Sequence, residues 1–189
     1  EISVRLPSEA ADAIRTVSVA TAATPYVVTL TALHLVLHGM SGRARIGVLC
    51  SYANRTNPVT ADLLGCLAEA FVCEARIGPK PPIGALCGQV RKTLWRACGE
   101  IDSGVQSDDV DEDGGSQPQA NASQPRLWVP VPFVDFDFVH QTPLPKVGDL
   151  ELDRLDLPVR ETECAIRVRF IGSRNDTWLR VIYATEHVH

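Results

Sequence analysis

Hydrophobic and polar positions follow several periods along this chain, and each period predicts a different element. Ile2, Val4 and Leu6 alternate with Ser3 and Arg5, the pattern of a half-buried strand. Pro7 stops it. Ser8 is placed to cap a helix from Glu9 to about Ala20, with Glu9 and Asp12 in the first turn, where the helix dipole favours acids. Ala10, Ala13, Ile14 and Val17 fall on one face, predicted to enter the core, and Asp12 and Arg15 on the wet one.

From Thr24 to Arg55 the pattern changes. Thr24 can cap a helix that Pro25 enters at its first position, where the missing N–H costs nothing. Val27, Val28, Leu30, Thr31, Leu33, His34, Leu35 and Leu37 leave almost no polar face, which predicts a helix covered on most sides and ended by Gly39 and Gly42. Ile46 to Cys50 is apolar without alternation and reads as a strand buried on both faces of a sheet. The polar turn Tyr52-Ala53-Asn54-Arg55-Thr56-Asn57-Pro58 follows, in the place where loops on a rigid support carry function. A purely structural reading is also open, with Asn54 bonding turn backbone and Arg55 pairing a carboxylate.

A short helix is predicted over Thr60 to Leu64, ending at Gly65. Ala68 to Ile77 then alternates Phe71, Cys73 and Ala75 against Val72, Glu74 and Arg76, as a strand does. Gly78 to Pro82 is a rigid connector. A helix from Ile83 to about Cys98 would bury Leu86, Val90 and Leu94 and leave Arg91, Lys92 and Arg96 in water; Trp95 fits either face. The stretch 100–124 is acidic and nearly free of apolar side chains, so burial cannot offset its ordering entropy, and a disordered loop is expected. Beyond it, Leu127 to Val139 reads as a strand that Pro130 and Pro132 confine to an edge or a bulge. Pro143, Pro145 and Gly148 mark a loop, and Leu150 to Leu157 an irregular apolar stretch. Two strands, Ala165 to Ile171 and Trp178 to Ala184, close the chain as a hairpin through residues 172–176. The arginine face of that hairpin is expected to meet solvent or an acidic partner.

Composition narrows the function classes. With 189 residues and 45% hydrophobic content, the chain can bury a substantial core. A net charge of −5 and no long Lys/Arg cluster argue against nucleic acid as a partner. Six irregularly spaced cysteines without C-x-x-C signal neither a zinc site nor a redox pair, and are read as reduced thiols. No apolar run is long enough for a membrane span, and the first residues carry no basic-then-apolar signal, so a cytoplasmic location is expected. The N-x-S/T triplets at Asn54, Asn121 and Asn175 are then chance matches. His34 and His38, four apart on one helix, have no third ligand at a recognisable spacing, and no metal site is expected. His187 and His189 are expected to be exposed. Ser51 lacks a G-x-S-x-G elbow, and no phosphate-binding glycine motif is present, so the sequence holds no self-sufficient active site.

A collinear series of strings resembles the C-terminal half of a condensation domain of nonribosomal peptide synthetases. It comprises Val4-Arg5-Leu6-Pro7, Ala22-Ala23-Thr24-Pro25, Leu35-Val36-Leu37-His38-Gly39-Met40-Ser41-Gly42, Ile46-Gly47-Val48 and Ala53-Asn54-Arg55. Leu64-Gly65-Cys66-Leu67, Phe71-Val72, Val90 to Leu94, Pro125-Arg126-Leu127 and Phe133 to Phe136 continue it. The resemblance implies an α/β (α+β) lobe of the chloramphenicol-acetyltransferase-like fold over residues 1–189, a mixed sheet flanked by helices. In the family, two lobes enclose a tunnel in which an acceptor amine attacks a thioester carried on phosphopantetheine. The family's histidine lies in an H-H-x-x-x-D-G motif on the N-terminal lobe, and no such string occurs here. Glu69 stands where the family has an asparagine, Glu74 near its arginine, and the family's H-Q-D string is missing.

The resemblance therefore implies no catalytic residue, metal or cofactor in this chain. It implies that Asn54 and Arg55 shape the tunnel floor and Ser51 lines it, if the three are not simply structural. The implied partners are an N-terminal condensation lobe and peptidyl carrier proteins bearing phosphopantetheine, and the chain would not be active alone. A non-catalytic module that recruits a carrier protein or tailoring enzyme is the alternative, and an unrelated αβ interaction domain is a third.

Overall fold

The computed structural model describes residues 1–56, 58–103, 134–140, 148–150, 164–172 and 177–185. In chain order the elements are β1 (Ile2–Arg5), α1 (Ser8–Thr21), α2 (Pro25–Ser41), β2 (Arg45–Tyr52), α3 (Pro58–Ala61), β3 (Glu69–Arg76), α4 (Ile83–Ser103), β4 (Val134–His140), β5 (Ile166–Gly172) and β6 (Thr177–Tyr183). They fall into two compact units, one of residues 1–30 and 131–189 and one of residues 31–130.

The first unit is built on strands in the order β1-β6-β5-β4. β4 runs parallel to β5, while β5–β6 and β6–β1 are antiparallel, so this sheet is mixed. Alternation along the strands divides its faces. On one face Phe136, Val168 and Phe170 are buried. Tyr26 of α2 meets Phe136 and Phe138 edge-on at 5.3 and 6.1 Å, and Phe138 stacks on Phe170 at 5.4 Å, both geometries favoured by the ring quadrupole. On the other face the register sets Asp135 beside Arg167 and Asp137 beside Arg169. The guanidinium Nε atoms donate to those carboxylates at 2.6 and 2.9 Å. The acidic partner expected for the arginine face is thus the neighbouring strand. Desolvation pulls the Arg167 pKa down, but the hydrogen bond and charge of Asp135 outweigh it and the net shift is upward.

Two expectations for this unit are corrected. β1 is exposed along its whole length, not half-buried, because it pairs with β6 at the end of the strand order. The helix α1 has no fully buried residue, its expected core position Ala13 is exposed, and Ser8 is its first residue rather than its cap. Pro7 sits at the cap position, and the Ser8 hydroxyl bonds the Glu9 carboxylate at 3.2 Å. A left-handed Ala22 (φ 49°) closes α1, its N–H meeting the carbonyls of Ser18 and Val19. The Thr24 hydroxyl then accepts from the Val27 N–H at 3.3 Å, the cap expected for α2.

The second unit packs α4 on β3 of an antiparallel β2–β3 hairpin. Ile46, Val48 and Cys50 of β2 and Cys73 and Ala75 of β3 share the buried face with Leu86, Cys87, Val90 and Leu94 of α4. β2 is buried on this face, and on the opposite one Leu49 is half-buried. Gly47 and Ser51 are exposed there, which corrects the reading of a strand buried on both sides. An added Cβ at Gly47 would lie 3.0 Å from Val72 Cγ1, so the small residue lets that branched neighbour sit across the hairpin. α2 continues through Gly39 and ends at Gly42 in a left-handed conformation (φ 68°), its N–H bonded to the His38 carbonyl. α4 runs to Ser103, so residues 100–103 of the segment expected to be disordered are helical; the remainder to 124 lies outside the described residues. So do the 173–176 turn, residues 151–157 of the apolar stretch, the strand before Val134 and both terminal histidines.

Candidate functional site

The predicted site residues lie at the end of β2. Ser51 is exposed on the open face of the hairpin, opposite Ala70. Asn54 adopts φ 53°, a left-handed conformation that asparagine tolerates better than most residues. Its carboxamide has no hydrogen-bond partner among the described residues, so it does not brace the turn as the structural reading required.

Arg55 does not pair a carboxylate among the described residues either. One terminal nitrogen donates to the carbonyls of Thr60, Ala61 and Leu63 at 3.1, 3.4 and 2.7 Å, and the other to Gly65 at 2.6 Å. A planar fork with several donors suits such a cluster of carbonyls in a way that a point charge does not. The same bonds explain why the short helix sits at Pro58–Ala61 rather than over Thr60 to Leu64: Pro58 starts it, and Arg55 takes the carbonyls that would have continued it.

On the strand side, Tyr52 Oη lies 2.9 and 3.0 Å from the two carboxylate oxygens of Asp102 and 2.6 Å from Thr56 Oγ1. Thr56 Oγ1 is itself 3.3 Å from both Asp102 oxygens. The last turn of α4 is therefore tied to both ends of the loop. The bond to Thr56 pulls the Tyr52 phenol down, but desolvation together with the bond and charge of Asp102 outweigh it, and its pKa stands above the ordinary tyrosine value. Such a phenol stays protonated near neutrality and cannot serve as a base there. Cys98, one turn earlier in α4, is pushed up by burial and by Asp102.

The two helix histidines each face a backbone carbonyl. His34 is fully buried, with Nε2 3.1 Å from the Cys73 carbonyl, and His38 Nδ1 is 2.7 Å from the Arg43 carbonyl. A ring nitrogen facing a carbonyl carries the proton, so neither of these atoms is a metal ligand. All six cysteines are free; Cys50 and Cys73 are buried side by side, and the bond from Cys50, with burial, raises the Cys73 thiol far beyond its ordinary value.

The structure thus brings Ser51, Asn54 and Arg55 onto one strand end without joining them into a nucleophile–base pair. Sequence reasoning missed Asp102. Its signal was helical phase: Arg96 and Glu100 are spaced as an i, i+4 pair, with nitrogen and oxygen 3.8 Å apart, and Asp102 continues that turn. No single helix among the described residues is long and apolar enough to cross a membrane.

No family model matches the chain. Among curated proteins, it is 34% identical over 97 residues to the phosphinothricin tripeptide synthetase PhsC of Streptomyces viridochromogenes, a match covering 51% of this chain and 9% of the synthetase. Among the solved structures that share its fold, three illustrate the likeness. VibH, a condensation enzyme of nonribosomal peptide synthesis, matches 98% of this chain with 42% of its own length at a TM-score of 0.69 and 16% identity. The condensation domain of the monacolin K polyketide synthase MokA matches 100% with 42% of its length at 0.67 and 20% identity. The X-domain crystallised with OxyB from teicoplanin biosynthesis matches 94% with 39% of its length at 0.65 and 12% identity. The chain has the mixed-sheet fold of a condensation-domain lobe and spans about two fifths of the solved domains it matches.

Proposed function

We propose that this chain is the C-terminal half of a condensation-type acyltransferase of nonribosomal peptide biosynthesis. It helps form the tunnel in which carrier-bound thioesters undergo amide formation, and it works only with an N-terminal lobe that supplies the catalytic histidine. The observation that carries this reading is coverage: nearly all of the chain matches about two fifths of a condensation domain, and half of it is 34% identical to a peptide synthetase. In the reaction the acceptor amine attacks the donor thioester carbon, the amide bond forms, and the carrier thiol leaves with the proton. Asn54 and Arg55 shape the tunnel floor, and Ser51 lines it. The partners are the N-terminal lobe and peptidyl carrier proteins with their phosphopantetheine arms, in the cytoplasm.

The test is a single-turnover assay with donor and acceptor carriers loaded as aminoacyl thioesters, this chain, and a separately supplied histidine-bearing lobe. Dipeptidyl-carrier read by mass spectrometry only when both lobes are present supports the proposal. Lack of product from folded, associated lobes would overturn it in favour of a non-catalytic module that recruits a carrier protein or tailoring enzyme. That second reading has one observation behind it, the likeness to an X-domain solved as a complex with OxyB.

A further inference from the structure

We infer that Asp102 is a positioning residue for the reaction proposed above: through Tyr52 and Thr56 it holds loop 53–55 and so fixes where Asn54 presents its carboxamide. The inference rests on the condensation reading, and its geometry lies within residues 31–130 alone. Asp102 sits in the last turn of α4, which carries no basic residue, where the dipole disfavours an acid. Tyr52 at one end of the β2 loop offsets this by donating to Asp102 at 2.9 Å, and Thr56 at the other end joins the pair through its 2.6 Å bond to Tyr52 Oη, with its oxygen 3.3 Å from the carboxylate. A residue that breaks the local rule of its helix but satisfies a contact about 50 positions away has its purpose in that contact. Arg55 pins the far flank of the loop to the carbonyls of residues 60–65. Asn54 is left between two anchored flanks, half-buried and in a left-handed conformation. Its side-chain amide, with two donors and a carbonyl acceptor, has no partner among the described residues, and matches the hydrogen-bonding groups of a peptide or pantetheine amide.

Two readouts test this. In the two-lobe assay, Asp102→Ala should slow dipeptide formation by about tenfold or more, because a misplaced positioning group costs rate steeply. Asp102→Asn, which keeps an acceptor for Tyr52, should recover most of that loss. Asn54→Ala should be comparably slow, and the Asp102→Ala/Asn54→Ala double variant no slower than Asn54→Ala alone, a non-additivity that general destabilisation would not produce. Independently of any reaction, ultraviolet titration of the phenols should show Tyr52 ionising at lower pH in Asp102→Ala than in the unaltered chain.

A shifted titration with an unchanged rate would overturn the positioning role and leave the condensation reading standing. An unshifted titration would overturn the clamp itself. Absence of product from the unaltered chain with its lobe would remove the condensation reading, and this role with it.

Discussion

Arg167→Met and Arg169→Met are the same change two residues apart on one strand, and we expect their costs to differ by about 2 kcal/mol. Arg167 pairs with Asp135, whose side chain is 9% exposed; Arg169 pairs with Asp137, which is 38% exposed. Water can solvate Asp137 when its partner is gone, so Arg169→Met should cost about 1 kcal/mol or less, the ordinary value of a surface pair. Asp135 has no such recourse, and stranding a buried carboxylate costs about 3 kcal/mol. The gross attraction, about 4 kcal/mol for charges 4 Å apart at an effective dielectric near 20, is largely cancelled by desolvation in the intact pair. The double replacement Asp135→Val/Arg167→Met should therefore return to within about 1 kcal/mol of the unaltered chain. Urea unfolding of the four proteins reads these differences directly. In thermal unfolding, the single variants should be separated by about 4–8 °C in a chain of this size. Equal costs for the two single replacements, or a double variant as unstable as Arg167→Met, would refute the assignment of Asp135 as a buried, partner-dependent charge.

Three further outcomes follow from local geometry. Arg55→Lys should raise amide hydrogen exchange across residues 58–66 while leaving α4 protected, because an ammonium cannot bridge carbonyls from Thr60 to Gly65 at once. In thiol alkylation followed by mass spectrometry, exposed Cys66 should label first and Cys98 more slowly. Cys73 should resist even at pH 9.5, since its raised pKa keeps it protonated there and labelling awaits unfolding. Gly47→Ala should cost about 1 kcal/mol by crowding Val72, and most of that should return in Gly47→Ala/Val72→Ala.

Where a residue's neighbours are set by local period, the sequence was readable. The alternation of β3 and β5, the Thr24–Pro25 entry to α2 and the buried stripe of α4 all appear as expected. Period alone does not say how many layers cover a strand. The apolar run of β2 contains Gly47 and precedes Ser51, and these mark its open face. The alternation of β1 is that of a half-buried strand, yet its position beyond β6 leaves it exposed. In α4, acidic composition after Gly99 masked a helix that continues to Ser103. The turn after β2 was legible as a turn but not as a set of bonds. Arg55 was singled out with a carboxylate as its structural partner, whereas its partners among the described residues are backbone carbonyls, which no side-chain pattern encodes. The contact between Tyr52 and Asp102 depends on where β2 and α4 end.

The pairing of β1 with β6 also imposes a timetable on synthesis. Residues 31–130 are one continuous compact unit in which β2, β3 and α4 are near neighbours in sequence, so their contacts do not have to wait for the last strands. The other unit is interrupted by it, and Ile2 pairs with Val181. With roughly 180 residues between them and translation at about 5–20 residues per second, β1 waits about 10–35 s for its partner. During that interval Ile2 and Val4 lie on an unpaired strand. A nascent chain stalled before β6 is therefore expected to recruit chaperones through β1.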